Sequence, residues 1–106
     1  IRRQRPTTPE RARLFKVIDL AFQNWPERAQ FQPLNTEDLR HYLQLKAGHG
    51  HQLARDGTVY LLPKSISDKA ISHAEFNRLA EKIYTVLRDQ YHLDDDEMLN
   101  TNREHA

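Results

Sequence analysis

The chain has 106 residues, 38% of them hydrophobic and 29% charged, with a formal net charge of +1 and no cysteine. That length fits one domain with one modest core. No apolar run approaches the roughly 18 residues that a membrane helix needs, and the lack of cysteine favours a reducing, cytoplasmic setting over a disulfide-stapled secreted one.

The small net charge hides an asymmetry. Residues 1–64 hold 11 Lys/Arg against 6 Asp/Glu, and residues 65–106 hold 5 against 9. Such a polarised chain steers an anionic partner towards its front portion and away from its rear.

In chain order, residues 1–8 read as a basic arm carrying Arg2, Arg3 and Arg5. A first helix is predicted from about Pro9 to Asn24. Proline suits the first helical position, and Thr8 can cap it. Leu14, Ile18, Ala21, Phe22 and Trp25 recur at helical spacing, Phe15 widens that stripe, and Pro26 stops the helix. Phe31 and Pro33 are expected to pin the connection that follows. A second helix starts after Asn35 or Thr36, buries Leu39, Tyr42, Leu43 and Ala47, and ends at Gly48.

The Asp56-Gly57 pair is the strongest local signal, because both residues favour the positive φ of a two-residue hairpin turn. Strands are expected over about 52–55 and 58–62. The second strand is apolar on both sides, so it should be well covered. A third helix opens with the Ser72–Glu75 capping box and runs through Phe76, Leu79, Ala80, Ile83, Leu87 and Tyr91. Periodicity fades over residues 93–106, which read as an acidic, flexible tail around Asp94, Asp95, Asp96 and Glu97. The expected fold is therefore α+β: three helices with a β-hairpin between the second and third, in one domain over residues 9–92.

Motifs for chemistry are sparse. His49 and His51 flank Gly50, and His41 precedes them, but a metal site there needs a third ligand such as Asp56 or His73. No nucleophile elbow surrounds Ser65, Ser67 or Ser72, and no glycine-rich phosphate loop is present. No cofactor is expected, and the leading reading has no reaction of its own, with a metal-dependent nuclease using His49 and His51 as the lowest-ranked alternative. The basic residues carry more. Arg2, Arg3, Arg5, Arg11, Arg13, Lys16, Arg40, Lys46, Arg55 and Lys64 form a candidate phosphate-binding set, and an aromatic such as Tyr60 can stack on unpaired bases.

Several stretches taken together resemble a family of small phage and prophage proteins that is similar to the NinB (Orf) recombination proteins of lambdoid phages. They are Arg11-Ala12-Arg13-Leu14-Phe15, Ile18-Asp19-Leu20-Ala21-Phe22, Trp25-Pro26, Leu39-Arg40, Lys46-Ala47-Gly48-His49, Asp56-Gly57, Lys64-Ser65-Ile66-Ser67 and Glu75-Phe76. The resemblance implies an α+β domain of phage DNA metabolism that binds single-stranded or branched DNA, forms a homodimer and contacts host replication proteins. Under it the basic set becomes phosphate contacts, with Lys64 as a site residue. The chain departs from the family in lacking β-structure ahead of the first helix and in Asp68-Lys69-Ala70-Ile71. The alternative is a protein-binding module that inhibits a host replication or defence enzyme through its acidic tail or a helix surface.

Overall fold

The computed structural model describes residues 8–67 and 69–104, with side chains as far as Asn102. The architecture is α+β, with helices α1 (Pro9–Gln23), α2 (Thr36–Lys46), α3 (His73–Tyr91) and α4 (Asp95–Glu104) and a hairpin of β1 (Gly50–Arg55) and β2 (Thr58–Pro63) between α2 and α3. Arg2, Arg3 and Arg5 of the expected basic arm lie outside the described residues.

The helix starts follow their caps. Thr8, Asn35 and Ser72 each accept a hydrogen bond from the backbone N–H three residues on, at 3.3, 2.8 and 3.2 Å. Each bond satisfies one of the N–H groups that a helix start leaves without an internal partner. The core lies where three apolar stripes meet: Leu14, Val17, Ile18 and Ala21 of α1, Leu39 and Leu43 of α2, and Phe76, Leu79, Ala80, Ile83, Tyr84 and Leu87 of α3. Ile66 and Ile71 drop into it from the segment between hairpin and α3.

The connection after α1 is buckled by aromatic rings. Phe31 stacks on Tyr42 at 3.8 Å, Trp25 lies 4.4 Å from Tyr91, and the Trp25 indole N–H donates to the Phe31 carbonyl at 2.8 Å. The Tyr42 and Tyr91 hydroxyls meet at 2.6 Å. Trp25 thus packs against the core, as its spacing indicates, and the expected pinning by Phe31 is found.

Three expectations need correction. The described residues form four helices, not three, because the segment read as a flexible tail forms α4. Asp94 caps it through the Glu97 N–H at 3.0 Å, and Leu93, Met98 and Leu99 pack on the core. Second, β2 is not covered. Val59, Tyr60, Leu61 and Leu62 are 63%, 49%, 54% and 37% exposed, since the hairpin packs chiefly against α2. There Gly50 admits Leu45: a Cβ at position 50 would lie 2.6 Å from the Leu45 Cδ2. Third, Phe15 does not widen the buried stripe but stands 42% exposed.

The turn itself is as expected, with φ of +52° at Asp56 and +77° at Gly57. The register pairs Arg55 with Thr58, Leu53 with Tyr60 and His51 with Leu62.

α4 is held by an ion cluster. Asp95, only 4% exposed, accepts from Arg13 at 2.7 Å and from Arg88 at 2.8 Å, while Arg13 also reaches Asp96 at 2.7 Å and Arg88 reaches Asp94 at 3.3 Å. The Asp96 and Asp95 hydrogen bonds hold the Arg13 guanidinium well above its ordinary pKa. Burial pushes the Asp95 carboxyl up, but the Arg88 and Arg13 hydrogen bonds outweigh it and hold the group below the usual carboxylate range. A depressed folded-state pKa gives stability that is complete at neutral pH and is lost as pH falls through the acid range. Asp95→Ala is therefore expected to cost roughly 2 kcal/mol at pH 7 in a urea titration. The deficit shrinks towards low pH, where the wild-type carboxyl is protonated too. Curves that stay parallel down to acid pH would contradict this role for Asp95.

Candidate nucleic-acid interface

Of the seven singled-out basic residues that lie among the described residues, three come together at one cleft. It has a volume of about 560 Å³ and is lined by Arg11 and Phe15 of α1, by Arg40, His41 and Gln44 of α2, and by the segment from Pro63 to Ser67. Arg11 and Phe15 lie four residues apart on α1, as do Arg40 and Gln44 on α2. Each pair therefore presents side by side on one helix face.

The third wall is supplied by the chain leaving the hairpin. The amide of Gln44, 1% exposed, donates through Nε2 to the Lys64 carbonyl at 2.9 Å, and the Lys64 N–H donates to the His49 carbonyl at 3.2 Å. The second bond extends the hairpin ladder by one pair beyond His51–Leu62. Arg11 donates to the Ile66 carbonyl at 2.6 Å and lies 4.3 Å from the centre of the Phe76 ring. It thus ties the loop to the helices while adding positive charge to the cleft.

The remaining groups face outward. Arg40 lies 5.9 Å above the Phe15 ring, with its guanidinium 3.3 Å from the His41 Nε2 and 3.9 Å from the Glu37 carboxylate, too far for a strong ion pair. The Lys64 side chain is exposed. Ser65 and Ser67 sit on the rim, joined by a hydroxyl–hydroxyl contact of 3.2 Å. Chemically the cleft offers two exposed or half-buried cations, a cationic tether, hydroxyl donors and an accessible aromatic face. These groups match a phosphate with an attached flat ring.

The other described members of the basic set go elsewhere. Arg13 is engaged by Asp95 and Asp96, and it lies 5.6 Å from the centre of the Tyr84 ring. Burial pushes the Tyr84 hydroxyl up to about 12, with Arg13 opposing. Lys16 borders a separate groove with Leu99 and Asn102 of α4. Lys46 donates to the Gln90 side chain at 3.0 Å. Arg55 is at the exposed hairpin tip, and Tyr60 is on the hairpin rather than at the cleft.

Among the described residues no group of three or more His, Cys, Asp or Glu is placed to hold a metal ion. His49 buries its Nε2 without a hydrogen-bond partner, and His51 is exposed on β1. Sequence reasoning missed Phe15, His41 and Gln44 as cleft residues. The usable signal was the four-residue spacing of Arg11–Phe15 and Arg40–Gln44. No family model matches the chain, and neither a curated protein nor a solved structure matches it.

Arg11→Met removes both the bond to Ile66 and the contact with the Phe76 ring. It is expected to lower stability by about 1–2 kcal/mol and to speed amide hydrogen exchange at Ile66 and Ile71 more than in α3. Unchanged exchange at those two amides would show that Arg11 does not hold the loop.

Proposed function

We propose that the protein is a phage-derived accessory factor of cytoplasmic DNA metabolism that binds single-stranded or branched DNA and performs no reaction of its own. The observation that carries this reading is the convergence of Arg11, Arg40 and Lys64 around the accessible ring of Phe15. Arg40 and Lys64 take backbone phosphates, while Arg11 ties down the loop that follows Lys64. An unpaired base lies against Phe15, which is why a single strand suits the cleft better than a duplex whose bases are already stacked. The resemblance to NinB-type recombination proteins supports the same reading, and Lys64 is one of the residues that carry it.

The acidic reading loses weight on geometry. Asp95 is buried between Arg13 and Arg88, and Asp94 and Asp96 contact the same two guanidiniums, so part of the acidic run already serves α4.

The test is a titration of a labelled mixed-sequence single-stranded oligonucleotide at several salt concentrations. Affinity falls with salt. Arg40→Ala and Lys64→Ala each weaken binding across sequences and shallow the log–log salt slope by about 0.7–1 unit. Phe15→Ala weakens binding without changing that slope, and Lys46→Ala, away from the cleft, leaves both nearly unchanged. Absence of binding at low salt refutes the reading.

A further inference from the structure

The hairpin is the feature that a single copy leaves unexplained. A lone two-stranded hairpin is marginal in water, yet this one projects with Leu53, Val59, Tyr60, Leu61 and Leu62 all at least 37% exposed. Among the described residues both of its edges are open, since the sheet there has two strands. Open apolar edges are usually blunted by charge. β1 follows that rule through His51 and Arg55, whereas β2 (Thr58–Pro63) carries no charged residue.

The register shows which backbone groups await a partner. A two-residue turn makes Arg55–Thr58 a hydrogen-bonded pair, and such pairs then alternate, taking in Leu53–Tyr60 and His51–Leu62. The N–H and C=O groups of Val59 and Leu61 therefore point outward from β2. Pro63 falls in the same outward set, so its missing N–H breaks no bond within the hairpin and closes the open edge at one end.

We propose that β2 pairs antiparallel with β2 of a second copy about a two-fold axis at Tyr60, making a four-stranded sheet across the dimer. In this register Val59 bonds with Leu61 of the second copy and the reverse, using the outward groups in full. Tyr60 faces Tyr60 and Thr58 faces Leu62, and Asp56, in the turn just before β2, comes near Lys64, just beyond its end. The two Asp56–Lys64 pairs flank the apolar centre symmetrically, and this charge complementarity selects a second copy of the chain over an unrelated strand. Moving the register by two residues in the Pro63 direction opposes Val59 to Pro63, which has no N–H to give. Pairing through β1 instead opposes Arg55 to His49 or His51. A β1-to-β2 contact leaves two further edges open and grows without closing. The dimer does not depend on DNA, and it sets two clefts on one sheet through Lys64.

The absence of cysteine makes a direct test available. Across the axis the two Tyr60 positions form a non-hydrogen-bonded pair with Cβ atoms about 4.5–5.5 Å apart. Tyr60→Cys therefore forms a covalent dimer under mild oxidation, while Leu53→Cys, comparably exposed on β1, stays monomeric. Sedimentation of the unmodified chain from about 5 to about 500 µM shows a monomer–dimer equilibrium, as suits an interface below standard size. Leu61→Lys shifts it to monomer with an unchanged circular dichroism spectrum. Lys64→Glu weakens it at low salt, and less so in an Asp56→Asn background. A monomer at every concentration overturns the proposal, and so does equal crosslinking through positions 53 and 60.

Discussion

The backbone of Lys64 is gripped from two sides, by the buried amide of Gln44 and by the carbonyl of His49. On that double hold rests the site. The hairpin takes the chain outward at Gly50 and returns it at Pro63, so that residue 64 comes back beside the helix it left. The Gln44 bond then fixes the returning strand against α2, on the side where Arg40 lies. Arg11 fastens the next turn of chain through Ile66, whose side chain is itself buried in the core. A cation from each of three distant stretches thereby shares one cleft without a catalytic motif or metal cluster to organise it.

The ion cluster at α4 has a complementary effect on the charge layout. It removes Arg13 from the candidate binding surface and offsets part of the acidic run that would otherwise repel a phosphate chain. Asp95 is nearly inaccessible and meets two guanidiniums, so removing it would leave paired cations facing a gap. The polarity visible in the sequence, basic at the front and acidic at the rear, is thus partly cancelled in three dimensions. What survives is local: a positive cleft bounded by α1, α2 and the loop beyond the hairpin.

Much of the fold was legible because it is written in local chemistry. Thr8, Asn35 and Ser72 cap where their side chains indicate, and Asp56-Gly57 turns where its two positive φ angles are cheap. What stayed hidden is tertiary. α4 has a short apolar stripe, and its anchors come from Arg13, 82 residues before Asp95. The exposure of β2 follows from the hairpin packing chiefly on α2, which no pattern within β2 encodes. The cations part company for a geometric reason. Arg11, Arg13 and Lys16 are close in sequence, but about 100° of helix rotation per residue sends them to three different neighbours. Their partners in the cleft came instead from α2 and from the segment after the hairpin.

The most direct measurement is a nitrogen–proton correlation spectrum of the labelled chain, titrated with an unlabelled single-stranded oligonucleotide at low salt. The account predicts progressive shifts concentrated at Phe15, Arg40, His41 and the amides of Lys64 to Ser67, with α4 unaffected. Shifts confined to α4 or spread evenly over the surface, or an unchanged spectrum, would contradict it.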